Sequence, residues 1–212
     1  MINVLLDPLP EEWETEDGRV FPINSDFRIG VQLHLLFGDP EPTEQEKLYK
    51  MADLLGLSGI SAEEVTECVK WFLGGWSHDN PGKKKDERLS DFDIDQWRIY
   101  AAFLSQYHID LNEIEYLHFW AFMGLLTSLS ESAFTRVVEI RGKKASKNMS
   151  KEDRKALQEA KETYRLGKIM TAEEKELEDG LYEFLGGKSD PDEERRIKEF
   201  ESYGGGDNQG GL

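Results

Sequence analysis

The sequence predicts an all-α protein, a multi-helix bundle with a small N-terminal β-hairpin and a disordered, glycine-rich C-terminal tail. Apolar residues recur at spacings of three and four over most of the chain, the period of an amphipathic helix. Ser or Thr followed three residues later by Glu precedes three of these stretches, which is a helix-start pattern. Strand-like alternation around a tight-turn dipeptide occurs only near the N-terminus.

The hairpin is predicted where Trp13–Thr15 and Arg19–Ile23 flank Asp17-Gly18. An Asp-Gly pair adopts the positive φ angles of a tight turn with little strain. Pro22 lacks a backbone N–H, so the second arm is expected at an edge.

Three helices are predicted in the next fifty residues, each with a capping residue at its start and a glycine at its end. The second and third start with capping boxes, Thr43 with Glu46 and Ser61 with Glu64. The predicted start and stop residues, in order, are Ser25 and Gly38, Thr43 and Gly56, and Ser61 and Gly74.

Three aromatic-rich helices are predicted to form the centre of the molecule, after a polar loop over residues 77–90. The first begins near Asp93. The second runs from Ile114 to Leu126 and is apolar nearly all round, which is typical of a buried helix. The third runs from about Ser130 to Arg141.

The composition becomes charged after Gly142, and helix starts at Ser150 and Thr171 precede only sparse apolar positions. A last short helix is expected between Asp190 and Tyr203. We therefore divide the chain into a helical core domain with the hairpin (1–142), a charged helical extension (143–203) and a disordered tail (204–212).

The charge balance argues against nucleic acid and membrane partners. The chain has 26 Lys and Arg residues against 43 Asp and Glu residues, a net charge of −17. Binding to a phosphate backbone or an anionic lipid surface calls for clustered basic residues instead. The single cysteine, Cys68, and the lack of a secretory leader favour an intracellular location.

Two acidic motifs resemble metal sites but are incomplete. Asp91, Asp93 and Asp95 alternate as in a calcium loop, but the sixth and twelfth positions are Gln96 and Ala102, where glycine and glutamate are needed. These aspartates are interpreted as helix N-terminal residues that favour the positive end of the helix dipole.

The spacing of Glu115 and His118 suits a di-iron bundle, but such a site needs a second Glu-x-x-His pair. Cys68 lies on the apolar side of a predicted helix and behaves there as a small hydrophobe. With no nucleophile elbow or phosphate-binding loop either, we predict no metal, no cofactor and no enzymatic activity.

The aromatic content indicates an interaction protein. The helices on both sides of Gly142 together have more aromatic surface than a small domain easily buries. The chain also contains predicted helices that are too polar to fold alone. Such a chain is expected to bind other chains, including copies of itself. The candidate partner-binding residues are Trp97, Tyr100, Tyr107, Tyr116, Phe119, Trp120 and Phe134.

A family resemblance is carried by the order and spacing of aromatic residues over roughly residues 5–165. Its clearest segments are Pro22–Arg28, Tyr100–Phe103, Gln106–Leu111, Glu115–Phe122 and Ile140-Arg141. In these the chain resembles the phage "gp fifteen" family, small acidic proteins of long-tailed bacteriophages and prophages of Gram-positive bacteria. The resemblance implies a tail-assembly chaperone in the host cell cytoplasm that binds and solubilises the tape-measure protein.

Two other functions stay open at this stage. The chain could be a structural head-tail or tail component that is retained in the virion. It could also be an acidic DNA mimic that inhibits a host DNA-binding enzyme, although its interleaved basic residues break up the negative stripe that a mimic needs.

Overall fold

The computed structural model describes residues 3–76, 88–146 and 148–167. Over these residues the protein is helical apart from one two-stranded hairpin, which confirms the predicted fold class. Its elements are β1 (Glu12–Glu14), β2 (Val20–Pro22), α1 (Phe27–Gly38), α2 (Glu44–Leu55), α3 (Ala62–Gly74), α4 (Gln96–Tyr107), α5 (Phe119–Thr127), α6 (Ala133–Gly142) and α7 (Lys151–Thr163).

Several predictions fall outside this part of the chain. Most of the polar loop, the helices expected after Thr171 and the glycine-rich tail lie beyond the described residues. The division into domains at residues 142 and 203 stays a prediction.

The predicted hairpin is present. Strands β1 and β2 are antiparallel, with Trp13 opposite Phe21 and Glu12 opposite Pro22. Gly18 has a φ angle of +83°, which allows the tight turn. Trp13 is buried and joins the hairpin to the core.

The capping boxes of α2 and α3 form as predicted. In α2 the Glu46 amide donates to Thr43 Oγ1 at 3.3 Å, and the Thr43 amide donates to the Glu46 carboxylate at 2.8 Å. Ser61 and Glu64 form the equivalent pair at the start of α3. Gly56 has a φ angle of +75° and ends α2. The third helix ends at Gly74, and Ser150 caps α7 as expected.

The first helix begins one residue later than predicted, because Asp26 and not Ser25 is its cap. Asp26 Oδ1 accepts a hydrogen bond from the Arg28 amide at 2.9 Å. The Ser25 hydroxyl instead forms a 2.8 Å hydrogen bond with the Tyr116 hydroxyl. Ser25 therefore ties the start of α1 to a distant segment.

Helix α5 begins at Phe119, and the prediction that it starts at Ile114 is wrong. The Phe27 amide donates to the Leu117 carbonyl at 2.7 Å, and the Phe119 amide donates to the Ser25 carbonyl at 2.8 Å. These two hydrogen bonds hold Leu117 and His118 in an extended bridge beside the start of α1. Backbone groups used in this way are not free to form a helical turn.

His118 caps α5 with its ring. Nδ1 accepts the Trp120 amide at 3.0 Å, and Nε2 lies 2.9 Å from the Pro10 carbonyl oxygen. Because Nδ1 accepts, the proton of the neutral ring is on Nε2, which donates to Pro10. Burial of the ring lowers the pKa of His118, against smaller opposing effects of the Pro10 carbonyl and Glu11.

The core is wider than the three central helices that the sequence predicted. Helix α1 packs against α2 and α5, α2 against α3, and α4 against α6. Phe122 of α5 stacks on Phe27 of α1 and on Phe103 of α4. The Trp120 indole N–H donates to the Phe72 carbonyl of α3 at 2.7 Å. Helix α5 therefore lies between the N-terminal helices and α4.

A buried ion pair joins α4 to α6. Asp95, just before α4, is fully buried, and its Oδ2 and Oδ1 accept from Arg141 Nη1 and Nη2 at 2.6 and 3.1 Å. Arg141 also donates to the carbonyl oxygens of Leu89 and Tyr164. Arg98 supplies a second guanidinium to Asp95 at 3.0 Å. The sequence analysis interpreted Asp95 as a residue that favours the positive end of the helix dipole and did not predict this ion pair.

Replacing Arg141 by Ala is expected to lower the free energy of unfolding by about 3–5 kcal/mol, because it leaves the Asp95 carboxylate buried without its main partner. Urea unfolding followed by circular dichroism measures the change. Arg136→Ala removes an exposed arginine of the same helix and should cost less than about 0.5 kcal/mol. An equal effect of the two substitutions would contradict this role.

Gly30→Ala is expected to lower the free energy of unfolding by about 1–3 kcal/mol, because a Cβ at this position would overlap the Phe119 ring. Gly124→Ala in α5 is the matched control. Apart from its chain neighbours and the nearby backbone of α5 itself, nothing lies within 4 Å of a Cβ placed there, so the gain in helix propensity should stabilise the protein by about 0.5–1 kcal/mol. Thermal unfolding of both variants tests the opposite signs.

The stability of the fold should fall as the pH drops below 6.5, the ordinary pKa of His118. In that range the unfolded chain binds a proton that the folded ring excludes, so the free energy of unfolding decreases with falling pH. His118→Asn keeps a capping oxygen and should reduce the difference in stability between pH 7 and pH 5.5. His108→Asn replaces an exposed histidine and should leave that difference as in the wild type.

Candidate protein-interaction surface

Three of the predicted partner-binding residues lie in the core. Phe119 is fully buried, and Trp120 and Phe134 are buried. The Phe119 ring lies 5.1 Å from the Phe72 ring, measured between centroids. Trp71 packs edge-on against Trp120. These side chains pack in the core and contribute little to the accessible surface.

Two other candidates use their hydroxyl groups to join segments of the chain. The Tyr107 hydroxyl donates to the Leu125 carbonyl at 2.8 Å, across from α4 to α5. Tyr116 is partly exposed, and its hydroxyl is paired with Ser25. Neither residue lines the grooves described below.

Trp97 and Tyr100 are the candidates that the structure brings together on the surface. They are three residues apart on α4, with ring centroids 6.0 Å apart in an edge-to-face arrangement. Trp97 is 74% exposed. The Tyr100 hydroxyl donates to Asp110 at 3.0 Å, and this hydrogen bond raises the pKa of Tyr100. The Tyr100 ring is thereby held in place beside the freely accessible indole.

Trp97 and Tyr100 line groove A, an open cleft of about 520 Å³ between α1 and α4. Most of the side chains that line it are aromatic or aliphatic. The lining residues are Phe27, Arg28, Val31, Gln32, Phe92, Gln96, Trp97, Ile99, Tyr100, Leu111, Asn112 and Phe122.

Groove B, of about 750 Å³, lies at the C-terminal end of α1 and shares Phe92 with groove A. Leu35, Phe37 and Ile94 line it and are all exposed, Phe37 by 53%. Met123 and Leu126 of α5 also line the groove, as do several polar residues. The shared Phe92 makes grooves A and B neighbours on one face of the molecule.

The outward side of α1 connects the two grooves. Arg28, Val31 and Gln32 line groove A, while Leu35 lines groove B. Their spacing of three, four and seven residues places them on one side of the helix. The opposite side, which includes Gly30 and Leu33, is buried up to the last turn of the helix, where Phe37 is exposed. The sequence did contain a signal for Leu35 and Phe37. Apolar residues occur on both sides of α1, which is more than one buried side of the helix requires.

The motifs that resembled metal sites have other partners. Asp91 forms an ion pair with Arg88, and Asp95 is paired with Arg141. Both ring nitrogens of His118 are hydrogen-bonded. Over residues 3–76, 88–146 and 148–167, no three His, Cys, Asp or Glu side chains are grouped so that they could hold a metal ion.

Cys68 is fully buried, and burial raises the pKa of its thiol to about 12. It is therefore protonated at neutral pH and packs as a small apolar side chain. Among the helices that the structure describes, none has the length and apolar character needed to cross a bilayer.

Comparison with known protein families identifies a relationship. A family model described as "Bacteriophage Gp15 protein" matches residues 5–166, which include both grooves apart from Gly167 at the edge of groove B. No curated protein and no solved structure matches the chain.

Proposed function

Because the chain belongs to the Bacteriophage Gp15 protein family, which points to a phage structural or morphogenesis protein, we propose that it is a tail-assembly chaperone. It binds and solubilises the tape-measure protein in the host cell cytoplasm before the tail tube forms. The function is non-enzymatic and uses a protein-binding surface instead of a catalytic centre.

The observation that supports this proposal most directly is the apolar face formed by grooves A and B. The core already contains buried aromatic packing around Phe72, Phe103 and Phe119, and none of these three residues lines either groove. Trp97 and Phe37 nevertheless present most of their surface to solvent. Adjoining apolar grooves on an otherwise charged surface are typical of sites that bind another protein.

The shape of the grooves suits a helical client. Groove A is lined by residues of the first half of α1 and groove B by residues of its second half, so a partner helix laid beside α1 can insert apolar side chains at helical spacing. A tape-measure protein is expected to be a long, largely helical chain with exposed apolar surface until the tube encloses it. One copy covers only a short stretch, and many copies along one client supply avidity.

The charge of the chain fits the same role. A net charge of −17 makes coated complexes repel one another and opposes aggregation. Moderate affinity for each copy allows tube subunits to displace the chaperone as they polymerise. Self-association of the chaperone along the client is part of this proposal.

Trp97→Ser should reduce the amount of tape-measure protein that co-purifies on co-expression by about tenfold, because an exposed aromatic anchor is lost. Tyr49→Ser is the matched control: Tyr49 is 69% exposed on α2 and lines neither groove. This variant should retain wild-type co-purification. Both variants should unfold within about 0.5 kcal/mol of the wild type.

A tape-measure protein that stays soluble without this chain, or that co-purifies equally with both variants, contradicts the proposal. Mass spectrometry of purified virions tests the alternative of a structural component. A chaperone is absent from mature particles, whereas a head-tail or tail component is present in stoichiometric amount.

A further inference from the structure

Groove B differs from groove A in its charged residues. Its lining includes Asp39, Asp91 and Asp93, and Asp91 is paired with Arg88. Among the described residues, no basic side chain lies within 4 Å of the carboxylates of Asp39 or Asp93. Within the part of the chain that the structure describes, groove B therefore places two carboxylates without an ion-pair partner beside exposed apolar side chains.

The C-terminus of α1 adds to this negative potential. The helix ends at Gly38 in the wall of groove B, and its last turn contains no basic residue. The last carbonyl groups of a helix carry a partial negative charge, which nearby cations stabilise. Asp39, the residue after the helix, adds a full negative charge at the same end.

Groove A offers no comparable attraction for cations. None of its lining residues is acidic. Its charged residue, Arg28, donates to Asp26 and to the carbonyl oxygens of Leu111 and Ile114, so it serves the fold. Of these two grooves in the described part of the chain, groove B is therefore the one that can select a client with basic residues.

We propose that groove B binds an amphipathic helix in which lysine or arginine residues flank an apolar stripe. Apolar side chains of the client pack against Leu35, Phe37 and Ile94, and its basic side chains reach Asp39 and Asp93. This inference rests on the proposed function and specifies which client segments the chaperone recognises.

The length of the recognised segment follows from α1. From Arg28 in groove A to Asp39 in groove B, the helix rises about 16 Å at 1.5 Å per residue. A client helix of about three turns laid beside α1 covers both grooves. Its basic residues then lie toward the end that contacts the C-terminus of α1.

Two synthetic helical peptides test the inference on the full chain. They share one apolar stripe, are about 18 residues long so that they can hold a helix, and differ in having either Lys or Glu at every polar position. Fluorescence anisotropy measures their affinities at low and high salt. The Lys peptide is expected to bind and the Glu peptide to bind at least tenfold more weakly, a difference of about 1.4 kcal/mol.

Charge variants separate groove B from the overall negative charge. Asp39→Asn with Asp93→Asn should weaken binding of the Lys peptide about three- to tenfold at low salt, and the loss should shrink at high salt. Glu67→Gln with Glu139→Gln changes the net charge equally at exposed positions outside both grooves and should have a much smaller effect. Equal losses in the two double variants, or equal binding of the two peptides, overturn the inference.

Phe37→Ser tests the apolar part of groove B. This substitution should weaken binding of the Lys peptide about tenfold, whereas Tyr49→Ser should leave its affinity unchanged. Sedimentation of the same variants examines a second copy of the chain as the occupant. A wild-type dimer that dissociates in Phe37→Ser would show that groove B is a self-association site and would overturn the inference.

The inference and the proposed function can fail separately. If tape-measure co-purification depends on Trp97 but is unaffected by Asp39→Asn with Asp93→Asn, the function stands and the inference is wrong. If the Lys peptide binds groove B but no tape-measure protein co-purifies, the charge selection stands and the proposed client is wrong.

Discussion

The packing of Phe119 against Gly30 decides which side of α1 faces the solvent. The ring lies where a Cβ of residue 30 would be, so the backbone of α1 rests directly on the centre of the core. Rotating α1 by one residue, about 100°, would bring a side chain into this contact. Because only the side of α1 with Gly30 can pack against Phe119, the side from Arg28 to Leu35 must face the solvent. The surface that lines both grooves therefore depends on a contact on the far side of the same helix.

The opposite wall of groove A is fixed by a different interaction. Asp95 is held by Arg141 immediately before α4 begins, and a buried ion pair of this kind tolerates little displacement of either group. The rotation of α4 is set at its first turn, with Ile99 toward the core and Trp97 toward solvent. Apolar side chains can shift against each other with little change in free energy, whereas a paired guanidinium and carboxylate specify one geometry. The exposed indole is thus presented by a rigid support.

The sequence predicted those features whose hydrogen bonds close within a few residues. The boxes at Thr43 and Ser61 and the hairpin at Gly18 are of this kind. The start of α5 was predicted wrongly because it depends on backbone hydrogen bonds to residues some ninety positions earlier. Within the candidate site, Trp97 and Phe119 have equivalent sequence signatures, since both are aromatic residues at helical spacing. Only the packing of other helices shows that the first is exposed and the second is buried.

An apolar face on a protein this acidic has to favour a client over another copy of the same chain. The net charge of −17 repels another copy only at short range, because exposed charges more than about 8 Å apart are largely screened at physiological ionic strength. Selection therefore falls to charges inside the interface itself. Asp39 and Asp93 lie there, and a second acidic surface brought against them would add repulsion where solvent is excluded. A basic client gains attraction at the same positions, so the carboxylates that discourage one partner favour the other.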